Sequence, residues 1–292
     1  MTYPKDIKII DTMLGILDSD DRSDWFASFR PLTKDPEALA SYDMPAEYMF
    51  KSIPGAEGVE DFLPWTIAQM DKHNIERGMA GWSDTPMNRR AKEEYPERFI
   101  FDLGINPNNG TEECKKIRRL HAEGIISAVS CFPAGTFPQV PIDHKNMWPI
   151  YATCEELGLP IFLNVGVPGP RIPMTTQKVE RLDEVCWFFP TLKVVMRHGA
   201  EPWDDLAWKL MLKWPNLYYS TSAFAPKHYP KSIINFANTR GADKIIYAGY
   251  FPMGLSLDRI FSDMENVSFK DHVWPKFLRE NALKVLGLGD KQ

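Results

Sequence analysis

The chain has 292 residues, a net charge of −5, 44% hydrophobic and 25% charged residues, ordinary values for a soluble globular protein. No basic run suits the tracking of phosphates, which argues against a nucleic-acid partner. No apolar stretch approaches the roughly 18–20 residues that a membrane helix needs, so no membrane partner is expected either.

The opening Met1-Thr-Tyr-Pro leads straight into a strand, without the apolar core of a leader, and a cytoplasmic location is expected. Cys114, Cys131, Cys154 and Cys186 are spaced too widely for a zinc pattern and read as free thiols. Residues 7–11 predict the first strand. No clear period follows over 16–62, a segment that reads as an insertion or lid, with Trp25, Phe26 or Tyr48 reaching a pocket.

A regular alternation then begins. Helices are predicted at 63–73, 87–95, 111–122, 146–157, 176–189, 203–214, 230–240 and 257–264. Strands are predicted between them at 77–81, 99–105, 125–132, 160–165, 192–197, 217–222 and 244–249. Thr111 is expected to cap its helix, and Gly124, Gly158 and Gly241 to close theirs. A helical segment over 274–286 ends the chain. Eight strands, each followed by a helix and a Gly or Pro return, predict a (β/α)8 TIM barrel, with an insertion after strand 1 and a C-terminal helical segment. The whole of 1–292 reads as one such domain. A doubly wound sheet is the competing fold, but no Gly-X-Gly-X-X-Gly follows any strand.

In a barrel the C-terminal strand ends form one functional face. Those ends carry Asp11 and Met13, Trp82, Cys131, Asn164, His198, Ser222 and Tyr250. Side-chain alternation suggests that Asp11 shares a side with Met13, and His198 one with Met196.

Six stretches carry a family resemblance: Ile9-Ile-Asp-Thr-Met-Leu-Gly15, Gly158-Leu-Pro-Ile-Phe-Leu-Asn-Val-Gly166, Leu192-Lys-Val-Val-Met-Arg-His-Gly199, Trp214-Pro-Asn-Leu-Tyr-Tyr-Ser-Thr-Ser222, Lys244-Ile-Ile-Tyr-Ala-Gly-Tyr-Phe-Pro252 and Glu280-Asn-Ala-Leu-Lys-Val-Leu-Gly287. In order and spacing the chain resembles the amidohydrolase-related barrels that include the aminocarboxymuconate semialdehyde decarboxylases. The resemblance runs nearly end to end, apart from 16–62. It implies hydrolysis or carbon–carbon cleavage at a metal site. The family pattern places a His-X-His pair where this chain has Met13 and Gly15, a His where it has Asn164, and an Asp where it has Tyr250. Only the sixth-strand His, His198, is retained. These substitutions imply that the usual metal site is lost and that no cofactor is used. A replacement site from His144 and Cys131 is the alternative.

The expected catalytic group is His198, oriented by Asp11 or Glu201, with an Asp11 partner raising the imidazole pKa. Tyr250 and Asn164 would polarise a carbonyl, and Arg171 would clamp a carboxylate. Met13, Trp82, Cys131 and Ser222 complete the expected substrate-binding set. Arg197 is expected to turn away into a structural ion pair. The resulting reading is a metal-independent hydrolase acting on a small organic acid, lactone or ring-cleavage metabolite. A carbon–carbon lyase or isomerase, and a non-catalytic barrel binding a small ligand, stand as alternatives. The partner is a small carboxylate or carbonyl compound, and both monomer and homodimer stay open.

Overall fold

A computed structural model of the chain describes residues 3–19, 23–40, 42, 44–50 and 53–289. Eight parallel strands run in the order of the sequence: β1 Ile9–Asp11, β2 Ile75–Gly81, β3 Phe99–Gly104, β4 Ala128–Cys131, β5 Ile161–Asn164, β6 Val194–Arg197, β7 Leu217–Ser220 and β8 Ile245–Ile246. The two ends of the sheet meet just past β1 and β8. Gly15 N–H donates to the Phe251 carbonyl at 2.7 Å, Tyr250 N–H to the Met13 carbonyl at 3.0 Å, and Thr12 Oγ1 to the Tyr247 carbonyl at 2.8 Å. The expected barrel is thus present and closes along this seam.

The crossovers form where the sequence supplies caps and apolar stripes. Helix α1, Phe62–Lys72, starts under an Asp61 carboxylate that accepts from Leu63 N–H. Helix α2, Pro86–Glu94, has Thr85 as its cap and Pro86 in its first turn. Helix α3, Thr111–Ala122, differs from expectation: Thr111 lies inside the helix, and Gly110 at φ 58° precedes it. Helices α4 Trp148–Leu157, α5 Leu182–Phe188, α6 Asp204–Lys213 and α7 Lys231–Phe236 follow β4 to β7. Gly158 closes α4 in the left-handed conformation, as expected. Helix α8, Leu257–Met264, buries Leu257, Ile260, Phe261 and Met264 on one stripe. The predicted helix over 176–189 is instead two short 3-10 turns followed by α5.

Each strand sends one apolar side chain into the barrel: Ile10, Met79, Ile100, Ala128, Phe162, Val195, Tyr218 and Ile246. Ala282, Val285 and Leu286 of the last helix, α9 Asn281–Leu286, pack on this layer and plug the N-terminal end. With that end filled, the opposite end is where a ligand can enter. The layer also fixes which residues point inward further along each strand. Val195 is inward, so Arg197 is inward too. Ile10 is inward as well, helped by a register shift between Ile9 and Ile10. The expected alternation was therefore out of phase at both β1 and β6.

The segment 16–62 lies against the C-terminal face, although 20–22, 41, 43 and 51–52 fall outside the described residues. Phe29 meets Phe132 edge-on at 5.5 Å, and Phe50 stacks on Tyr250 at 5.6 Å. Trp25 covers Gly15 so closely that a Cβ there would come within 2.9 Å of its ring. Of the expected aromatics, Trp25 reaches the mouth. Phe26 packs on Phe29, and Tyr48 sits on the rim, donating to the Gly169 carbonyl. Among the described residues no helix is long and apolar enough to cross a membrane.

Candidate active site

Beyond the apolar layer, the inward positions of β2 to β5 are small or polar. Gly81 and Gly104 are exposed, and Ser130 and Asn164 are half-buried. A Cβ built on Gly81 meets nothing within 4 Å, and one on Gly104 meets only Ser130 Oγ, at 3.9 Å. The glycines thus leave a well open to solvent. Among the described residues the Asn164 amide has no hydrogen-bond partner.

The floor of the well is charged. Arg197, its side chain 7% exposed, crosses the barrel from β6 towards β3 and meets Asp102 Oδ2 at 3.5 Å. Its guanidinium lies 4.9 Å above the Phe162 ring. The ion pair matches expectation, but the direction does not: Arg197 points into the barrel. Burial lowers its pKa, and Asp102 opposes that shift.

On the other side stand His198 and Tyr250, both just past their strands and both at positive φ, 65° and 76°. A non-glycine residue in this region is strained and often functional. Leaving the strand there frees His198 from the alternation that sends Arg197 inward. Ser222 Oγ accepts the His198 backbone N–H at 3.1 Å and lies 3.1 Å from its Nδ1. The imidazole meets the Tyr250 ring edge-on at 5.4 Å. Burial, with Arg197 nearby, pulls the His198 pKa down to about 3. Burial pushes the Tyr250 phenol up to about 12. Near neutral pH this pair is an uncharged imidazole beside a protonated phenol.

Three expected arrangements are corrected. Asp11 does not pair with His198. Its Oδ1 accepts N–H groups from Met13 and Gly249, both at 2.9 Å, tying β1 to β8. Burial lifts its own pKa to about 7. Without a carboxylate beside it, His198 is shifted down rather than up. Glu201 makes no hydrogen bond to His198 among the described residues; its pKa is raised by burial and by Asp204. Arg171 is engaged at the rim by Asp35 at 2.6 Å and Glu37 at 2.9 Å, and lies over Tyr48.

Trp82 and Cys131 lie in the outer core between strands and helices. Trp82 packs edge-on against Phe101, and Cys131 is buried with its pKa raised by that burial. Neither faces the well. Met13 is half-buried at the β1 to β8 seam, and Ser222 is brought directly to His198. Sequence reasoning missed Asp102, Ser130 and the inward course of Arg197. A lone carboxylate inside the apolar run Phe99-Ile-Phe-Asp-Leu was the available signal.

The mouth does not suit a divalent metal. At the family's ligand positions it offers a thioether, a glycine, an amide and a phenol, with one imidazole whose Nδ1 meets Ser222. A side chain on Gly15 would have to displace Trp25 and crowd Pro252. Among the described residues no three His, Cys, Asp or Glu side chains gather as metal ligands. His144 Nδ1 instead accepts from Asn146 N–H.

The amidohydrolase family model matches residues 33–288. Solved structures share the fold. An uncharacterized TIM-barrel protein from Bordetella bronchiseptica is 23% identical with a TM-score of 0.76, covering 96% of this chain and 99% of that one. The 5-carboxyvanillate decarboxylase of Novosphingobium aromaticivorans, complexed with manganese and 4-hydroxy-3-methoxy-5-nitrobenzoic acid, is 15% identical with a TM-score of 0.69, covering 97% of each. A probable 2-pyrone-4,6-dicarboxylic acid hydrolase from Acinetobacter baumannii, with citric acid bound, is 14% identical with a TM-score of 0.60, covering 96% and 100%. Among curated proteins, a dihydroorotase from Photorhabdus laumondii is 30% identical over 95 residues, 30% of this chain. The match spans only 27% of that dihydroorotase.

Proposed function

This chain belongs to the amidohydrolase family, and from that premise we propose that it cleaves a small organic acid by acid/base catalysis without a resident metal. The observation that carries the proposal is the His198 and Tyr250 pair at the mouth, with Nδ1 held by Ser222. In the tautomer that donates Nδ1–H to Ser222 Oγ, Nε2 is the nitrogen that accepts a proton. The Tyr250 phenol stays protonated and can donate to a developing oxyanion or carbanion. The Asn164 amide, without a hydrogen-bond partner among the described residues, would polarise a carbonyl.

Carbon–carbon cleavage of the decarboxylase type is the leading reading. Loss of carbon dioxide from a carboxylate leaves a carbanion that needs one proton, and a protonated phenol supplies it. Hydrolysis is the second reading, favoured by the fold shared with the pyrone dicarboxylic acid hydrolase. It asks more of His198, because an imidazole of depressed basicity activates water poorly.

The test is turnover of a panel of hydroxybenzoates, pyrone carboxylates and lactones by native protein and His198→Asn, before and after exhaustive dialysis against a chelator. The native protein should turn over at least one compound, unchanged by dialysis. His198→Asn should fold and lose about 10²–10⁴-fold in rate. Wild-type turnover by His198→Asn, or activity that vanishes with the chelator and returns with manganese, overturns the proposal.

A further inference from the structure

We propose that Arg197 is the specificity-determining residue of the well, holding an anionic group of the substrate that survives the reaction; this rests on the acid-cleaving function proposed above. A guanidinium carries five N–H donors. Arg197 is more than nine-tenths buried, yet among the described residues its Nε has no hydrogen-bond partner. Its single carboxylate contact, to Asp102, is long at 3.5 Å. Ser220, the inward residue of the neighbouring strand, is fully buried, and its Oγ too has no partner among the described residues. Such groups are rare in a protein interior, where nearly all buried donors find partners. Asn164 lies across from Arg197 in the sheet register, and Gly81, across from its partner Asp102, leaves open space there.

A planar oxyanion in this well would give Nε the acceptor it lacks and could take the Ser220 hydroxyl and the Asn164 amide as further donors. The held group is not the one that leaves. A guanidinium gripping the departing carboxylate would stabilise the ground state and slow cleavage. Asp102 acts in the opposite sense. It steers the guanidinium across the barrel, and its charge repels an incoming anion. The two members of the pair therefore have opposite effects on binding, which a purely structural ion pair would not show.

The experiment measures binding of two matched probes, benzoate and its neutral counterpart benzamide, by calorimetry at fixed ionic strength. The proteins are the native chain, Arg197→Met, Arg197→Lys and Asp102→Asn, with thermal unfolding recorded for each. Benzoate should bind the native protein more tightly than benzamide. Asp102→Asn, which keeps an acceptor for Arg197, should tighten benzoate a few-fold and leave benzamide unchanged. Arg197→Met should weaken benzoate by about tenfold or more, the scale of a lost charged hydrogen bond. Should Arg197→Met fail to fold, Arg197→Lys and Asp102→Asn decide the question, the former by weaker benzoate binding and the latter by tighter. Equal binding of the two probes, or benzoate weakened by Asp102→Asn, overturns the inference. Benzoate selectivity with no turnover of any panel compound would sink the proposed function and leave this inference standing. Turnover lost in Arg197→Met with benzoate binding intact would do the reverse.

Discussion

Two arginines divide the mouth of this barrel into a rim and a floor. Arg171 stands on the rim in a Pro- and Gly-rich loop, and its side chain is 33% exposed. Asp35 and Glu37 hold it closely, and an aromatic ring lies beneath it. Arg197 lies on the floor at the end of a buried strand, and among the described residues it has one distant carboxylate and no partner for Nε. The exposed charge is satisfied by its own chain, and the buried one is not. Surface ion pairs form readily because water covers their shortfalls, and they contribute little. A buried cation with a missing partner persists at a cost of several kcal/mol, so something must require it. The floor is therefore where function is expected, although the rim had the stronger sequence signal.

The largest effect is expected from pH, because His198 at the mouth and Asp11 at the seam beside it are both strongly shifted. His198 is depressed from 6.5 to about 3. The unfolded chain takes up its proton first, so the stability this residue contributes is full above pH 6.5 and is lost as pH falls towards 3. Asp11 is raised from 3.8 to about 7. Its contribution is full below pH 3.8 and is lost as pH rises through 7. Between about pH 4 and 6.5 the two slopes oppose and nearly cancel. His198→Asn should therefore lose stability as pH rises across this window, relative to native protein. Asp11→Asn should gain it. At about 1.4 kcal/mol per pKa unit, each divergence amounts to at most about 3–4 kcal/mol. Denaturant melts at pH 4, 5 and 6.5 would show it. Parallel curves for both variants would mean that these groups are not buried as described.

A smaller effect is expected where the segment meets the mouth. Trp25→Ala removes the ring over Gly15. The affinity of any substrate found should fall with little change in the chemical step, a rise in KM at nearly constant kcat. An equal loss in kcat would place Trp25 among the groups that act in the transition state.

Much of this was legible in the sequence. Short β-branched runs closed by Gly or Pro fixed eight strands and most helices within a few residues, because buried parallel strands tolerate little else. The placement of Asn164, Tyr250, His198 and Ser222 at one face followed from that count alone. What failed was phase. Strands of three or four residues, one with a register shift, give alternation too few steps to anchor, so Asp11 was assigned to the site and Arg197 away from it. Trp82 and Cys131 each sit at a strand end but on its outer side. The Arg171 pairing needed contacts 134 and 136 residues apart, which no local pattern encodes.

The smallest effect is predicted for Arg171 itself. Its partners Asp35 and Glu37 are 34% and 74% exposed, so solvent and salt screen both pairs. Arg171→Ala should change global stability little. The segment should stay docked, because Phe29 on Phe132, Phe50 on Tyr250 and Trp25 over Gly15 fasten it by apolar contact. Limited proteolysis between 30 and 50 should proceed at nearly the native rate, and raising salt in native protein should mimic the substitution. Phe50→Ala should instead speed cleavage, since it strips the stacked ring from Tyr250. If Arg171→Ala released the segment faster than Phe50→Ala, the rim would be held by charge, and the division between a satisfied rim and a demanding floor would have to be redrawn.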